Sequence, residues 1–214
     1  MVARSLADVA RANALFGGTR AVLAELDRVL GELPTSHASL LDVGTGIGDI
    51  PCRARALAEQ RGITLRTIGV EASEVLARAA RSDAFPTVRA DALQLPFADR
   101  SIDIVMCSQV LHHFVDRPRA LDMLREMHRV AARAVIVSDL RRSWLAAAGI
   151  WLASFPLRFH PASRHDGVVS VLRGFTRREL RDLVHSAVGC EPDVRHHAGF
   201  RTTAVWTPSC AASA

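Results

Sequence analysis

The most constraining stretch of the chain is Leu40-Leu41-Asp42-Val43-Gly44-Thr45-Gly46-Ile47-Gly48-Asp49-Ile50. A short apolar run of strand length ends in three alternating glycines, and a helical pattern follows. That order reads as strand, tight turn, helix. Glycine permits positive φ and lets a ligand approach the backbone closely. The helix N-terminus behind it favours a carboxylate or phosphate. The spacing is G-x-G-x-G rather than the dinucleotide G-x-G-x-x-G, and no Lys-Ser or Lys-Thr follows, which excludes a Walker loop. Alone, such a turn is also compatible with a plain strand-to-helix connection.

The rest of the chain repeats the alternation. Strands are expected at 40–43, 65–70, 87–90, 102–107 and 134–137. Helices are expected at 5–15, 19–30, 50–59, 73–81, 117–130, 144–155 and 176–188. Thr176, with Glu179 three residues on, has capping-box spacing. Segments 194–197 and 202–206 read as a closing hairpin. Regular βαβ order predicts a single α/β domain: a doubly wound, Rossmann-like, mostly parallel seven-stranded sheet with an antiparallel edge strand. Ligands bind such sheets at the carboxyl ends of the strands.

Further polar residues fall at those ends. Glu71 closes the second strand, 23 residues beyond Gly48, where an acid accepts from ribose hydroxyls. Asp91-Ala92 follows the third strand; its carboxylate suits an adenine amino group or, more plainly, a helix cap. Leu95-Pro96-Phe97 then leads to Asp103-Ile104-Val105. Ser108-Gln109-Val110-Leu111-His112-His113-Phe114 follows the fourth strand.

As an ordered set over residues 40–139, these elements resemble the class I S-adenosylmethionine (SAM)-dependent methyltransferases. They are similar in particular to the small ubiquinone/menaquinone-type and natural-product enzymes. The resemblance implies SAM as cofactor and S-adenosylhomocysteine (SAH) as product. It implies that Gly44, Thr45, Gly46 and Gly48 cradle the methionine part, with Asp42 ordering the loop and helping to hold the ammonium group. Glu71 would bind the ribose, with Ala72 next to it, and Asp91 and Ala92 the adenine. Ser108 and Gln109 would face the methyl group. Glu at position 71 departs from the commoner Asp, and its longer side chain still reaches.

Methyl transfer from a sulfonium is an in-line displacement, so orientation carries most of the catalysis and no metal is needed. A hydroxyl nucleophile benefits from a base near neutral pKa, which suits histidine. The nine histidines offer His112 beside the expected methyl, and His165 with Asp166 as base and orienting acid in a polar loop over 159–167. His37, His128, His185, His196 and His197 read as structural or surface residues. The run 144–157 is apolar all round and falls short of the ~20 residues a membrane span needs. It is expected to be buried or to wall an apolar acceptor pocket, with peripheral membrane contact as a weaker alternative.

The domain plan is an N-terminal helical cap at 1–38, a SAM-binding domain at 39–206 with an acceptor-pocket insertion near 140–175, and a flexible tail at 207–214. The net charge is +5, yet all 27 basic residues are arginine, scattered among acids. This reads as GC-rich codon usage, so no nucleic-acid partner is expected. Four cysteines without a C-x-x-C pair suggest neither zinc nor a disulfide framework. With no signal peptide visible, a cytoplasmic monomer or homodimer is expected. The expected reaction is O-methylation of a phenol or polyketide. The alternatives are C-methylation of a quinone precursor and SAM binding without turnover. The absence of Tyr and Lys argues against a short-chain NAD oxidoreductase. An RNA methyltransferase would need an Asn-Pro-Pro-aromatic motif, which is missing.

Overall fold

The computed structural model describes residues 17–80, 85–156 and 160–211. The strands are β1 (His37–Val43), β2 (Thr64–Glu71), β3 (Thr87–Arg89), β4 (Ile102–Ser108), β5 (Ala131–Leu140), β6 (Asp193–His197) and β7 (Arg201–Trp206). They form one sheet in the order β3-β2-β1-β4-β5-β7-β6. All neighbours pair in parallel except β7, which runs antiparallel to both β5 and β6. The closing hairpin therefore supplies the antiparallel edge, with its reversed strand one place in from the margin.

The central strands bury both faces, and adjacent residues point to opposite sides. Leu40, Ile104, Met106 and Ile136 pack under α1 (Gly18–Glu32) and α2 (Asp49–Gln60). Leu41, Val105, Val135 and Val137 pack under α4 (Arg117–Val130) and α7 (Arg177–Val188). The short α3 (Glu74–Ala80) joins β2 to β3. At α7 the capping box forms as its spacing predicts: Thr176 Oγ1 accepts from the Glu179 N–H at 3.2 Å, and the Glu179 carboxylate accepts from the Thr176 N–H at 2.9 Å. Gly189, at φ +70°, ends the helix.

Three expectations change. Helix α1, assigned to an N-terminal cap, is a core helix: Val22, Leu26 and Leu30 are fully covered against the sheet. The companion helix at 5–15 lies outside the described residues. The segment read as a polar loop is α6 (Pro161–Leu172), its start set by Pro161, which is tolerated in a first helical turn. It packs against α5 (Trp144–Ala153) as a helical pair above the end of β5, around Leu140, Ala147 and Val171. Of the closing segment, residues 208–211 form a 3₁₀ turn near β5.

Candidate active site

The strand order reverses direction between β1 and β4, the place where such sheets open a crevice. The loop leaving β1 carries Gly44, Gly46 and Gly48 at φ of +72°, +59° and +77°. The Gly44 and Thr45 N–H groups both donate to the Val70 carbonyl, at 2.8 and 3.0 Å, which ties the loop to β2. A Cβ at Gly44 would lie 2.5 Å from Val110, and one at Gly48 2.7 Å from Phe85. Those two glycines serve packing. A Cβ at Gly46 would meet nothing within 4 Å, so this backbone borders open space.

Two adjoining cavities, of about 690 and 680 Å³, share Gly44, Glu71, Val110 and His113 in their walls. The first lies along Ala72, Ala90, Asp91 and Ala92. The second runs from Thr45 and Gly46 past Ser108 and Gln109 to Ile150, Ser154 and Val169 of the α5–α6 pair. All the residues assigned to SAM thus lie along one groove except Gly48, which is packed beneath it. Glu71 has a second task. Its carboxylate accepts from the Gly46 N–H and the Ser73 N–H, both at 3.0 Å, holding the loop and the end of β2 together. Asp91 accepts from the Leu93 N–H at 3.0 Å, so it caps the turn after β3 as well as lining the groove.

Asp42 is buried and accepts from the Thr45 hydroxyl at 2.9 Å. Burial pushes its carboxyl up to about 7, with Asp49 and Glu71 adding like charge, while the Thr45 bond opposes the rise. The native carboxyl keeps its proton to a higher pH than the unfolded one. That contribution to stability is complete below about pH 4 and is lost as pH rises through 7. Asp42→Asn is therefore expected to raise the ligand-free melting temperature by roughly 5 °C above pH 7, with the gain fading toward pH 4. Thermal melts across that range check it; a gain independent of pH would refute the buried-charge account.

The same cavity wall carries a histidine pair. His112 is buried in the 3₁₀ turn Leu111–His113, and its Nδ1 lies 2.7 Å from Asp139 Oδ1. The His112 N–H donates to Asp139 Oδ2 at 3.1 Å, and the Leu140 N–H to Asp139 Oδ1 at 2.6 Å. His113 rests against His112 with ring centres 4.2 Å apart, and burial followed by the neighbouring His112 charge holds its pKa down. Gln109 takes φ +59° and accepts from Arg201 Nη1 at 2.9 Å. Arg201 is itself buried in the cavity wall, and burial lowers its pKa to about 10. Arg164 and Arg173 of the α5–α6 side line the same cavity.

The His165–Asp166 pair does not form. On a helix, neighbours point about 100° apart. Asp166 lines the cavity, and His165, exposed, is not among its lining residues. Nor is His197 a plain surface residue: its Nε2 lies 2.9 Å from the buried Glu25 carboxylate and 3.0 Å from the Thr203 hydroxyl. Asp139 and Arg201 are the site residues that sequence reasoning missed. The signal for Asp139 was a lone acid closing an apolar strand.

The groove fits SAM on its own chemistry. Acids gather beside the glycine loop, where an ammonium or sulfonium would sit. Gly46 leaves room for a ligand against its backbone. Ser108 Oγ and Gln109 Nε2 are buried without a hydrogen-bond partner among the described residues.

The comparisons agree. Residues 41–137 match the family model described as a methyltransferase domain. The 27-O-demethylrifamycin SV methyltransferase of Amycolatopsis mediterranei is 32% identical over 115 residues, covering 51% of this chain and 42% of that enzyme. The match thus spans less than half the relative's length. A SAM-dependent methyltransferase from Aquifex aeolicus superposes with a TM-score of 0.61 at 15% identity, over 92% of this chain and 97% of that one. The magnesium protoporphyrin IX methyltransferase from Synechocystis PCC 6803, solved with bound SAH, gives 0.61 at 15% identity, over 93% and 86%. At such identities the structures speak for the fold. Together with the glycine loop and the ordered motifs, these matches show a methyltransferase domain at residues 41–137, carried on the fold of the class I SAM-dependent methyltransferases.

Proposed function

We propose that the chain methylates a hydroxyl of a small aromatic or lipid-like acceptor, a phenol or polyketide, in the cavity beneath α5 and α6. The observation that carries this reading is the His112–Asp139 pair at that cavity. A carboxylate only accepts, so the 2.7 Å contact puts the His112 proton on Nδ1. Nε2 is then the basic nitrogen, suited to take a hydroxyl proton. Arg201, Arg164 and Arg173 supply positive charge toward an oxygen losing that proton. Val110, Leu140, Ile150 and Val169 provide apolar wall for the rest of the acceptor.

In this reading Asp42, Thr45, Gly46 and Glu71 hold the amino-acid and ribose parts of SAM, and Ala72, Asp91 and Ala92 the adenine. Gly44 and Gly48 shape the loop, and Ser108 and Gln109 face the reacting side. SAM, when bound, supplies a methyl group already activated by its sulfonium. The protein's task is alignment and proton removal. The rifamycin relative, whose name specifies an oxygen site, supports oxygen as the methylated atom.

Calorimetric titration with SAM and SAH, with NAD as control, tests the cofactor half. Binding of the adenosyl ligands alone is expected. A folded chain that bound neither, even with candidate phenols present, would end the proposal. An acceptor screen read by product NMR then separates O-methyl from the C-methyl product of a quinone precursor. SAM binding without turnover on any phenol or quinone precursor would leave a cofactor-binding protein.

A further inference from the structure

We propose that α5 and the residues just after it form an anchor for an anionic lipid surface, and that the acceptor enters the cavity from that surface. The second half rests on the proposed function; the first stands without it.

Helix α5 was expected to be buried or to wall an apolar acceptor pocket; Ile150 lines the cavity and Ala147 is buried, but the outer face is uncovered. Trp144 and Leu145 are each 79% exposed and Leu152 61%, with Trp151 and Phe155 about half exposed. Five of the nine exposed large apolar side chains of the described residues lie in this one segment, and they include every exposed aromatic among them. Concentration of that kind marks an interaction face. Helix α5 spans ten residues, and no helix among the described residues is long and apolar enough to cross a membrane. A short helix with Trp and Leu outward and cationic flanks suits the headgroup boundary.

Charge selects the occupant. Residues 141–173 carry five arginines against one acid, Asp166; Arg142 is paired with Glu179 at 3.0 Å, which leaves the segment a net +3. The Arg164 guanidinium lies 3.8 Å above the Phe155 ring, so cation and apolar face share an edge. Anionic headgroups complement this face. A second copy of the chain would bring two cationic faces together in a two-fold contact, which disfavours that occupant. Helix α5 also faces both ways. Ile150 and Ser154 line the cavity that reaches His112, while Trp151 and Leu152 point to solvent. A lipid-dissolved acceptor leaving the surface at α5 would enter the cavity alongside the same helix.

The test is flotation of the full chain, without SAM, on vesicles of phosphatidylcholine with phosphatidylglycerol, and on phosphatidylcholine alone. Flotation with the anionic vesicles is expected, weakening as salt is raised. Trp144→Ser with Leu145→Ser, and separately Trp151→Ser with Leu152→Ser, should each cut the partition at least about tenfold. Their far-UV spectra and melts should match the parent, since these side chains cover no core. Trp206, only 3% exposed, should keep its emission while Trp144 and Trp151 shift to the blue. The anchor is overturned if the parent ignores anionic vesicles at low salt, or if both double variants float as well as the parent. It is equally overturned if the substitutions instead convert a vesicle-indifferent dimer to a monomer. Because no step uses SAM, a failure of the cofactor titration leaves this result readable.

Discussion

Replacing Asp139 with Asn is expected to lower kcat about 100-fold or more while SAH affinity stays near that of the parent. Asp139 is fully buried, and its hydrogen bonds go to the His112 ring, the His112 N–H and the Leu140 N–H rather than to residues assigned to SAM. Its effect on chemistry therefore passes through His112, as a positioning residue. Asn still offers one acceptor oxygen, but it brings an NH₂ into a site built from three donors, and it cannot offset an imidazolium. The ring loses both its fixed tautomer and the charge that stabilises its protonated form. The swap also leaves polar groups badly matched in the interior, at about 1–3 kcal/mol of stability, so turnover must be compared where both proteins are folded. His112→Gln is the companion variant. If the two residues act as a unit, the double variant should be little slower than either single one. A purely structural Asp139 would give a lower melting temperature with kcat intact, and independent roles would give losses that multiply. Either pattern would end the account of Asp139 acting through His112.

The pair also shows where sequence reading stops. The glycine loop, Glu71, Asp91 and Ser108-Gln109 were legible because each sits at a strand end, and strand ends follow from local periodicity. His112 was legible for the same reason. Its partner lies 27 residues on, at the end of the neighbouring strand, and only the parallel register of β4 against β5, Ser108 opposite Ser138, brings the two together. Reading β5 as ending at residue 137 placed Asp139 outside the strand and concealed its burial. Arg201 was hidden more deeply. It starts a strand that reverses direction, and it reaches the site only because β7 inserts beside β5, Arg201 opposite Leu140. Helix α5 was legible only in part. An apolar circumference predicts a helix that is buried or meets an apolar ligand; here one side lines the cavity through Ile150 and the outer face remains uncovered.

Gly46→Ala should separate ligand binding from folding more cleanly than any other substitution in the loop. A Cβ at Gly46 meets no protein atom within 4 Å, so the substitution costs only the strain of an L residue at φ +59°, about 1 kcal/mol. The new methyl group occupies the open space into which the cofactor's amino-acid part is assigned. SAH affinity should fall by about tenfold or more, since a ligand held against backbone cannot yield to a methyl group without losing its contacts. Gly62→Ala and Gly189→Ala supply the control. Both sites have positive φ, +71° and +70°, and both leave a Cβ equally unopposed, yet they end α2 and α7 away from the groove. They should lower the melting temperature as much as Gly46→Ala does and leave SAH binding alone. Gly44→Ala marks the opposite limit: its Cβ would lie 2.5 Å from Val110, so it should damage the fold first and binding as a consequence. Calorimetry and thermal melting on the four variants give the outcome. If Gly46→Ala binds SAH as the parent does, this backbone does not meet the ligand and the cofactor must lie elsewhere along the groove. If all four lose affinity in proportion to stability, the glycines serve only the turn.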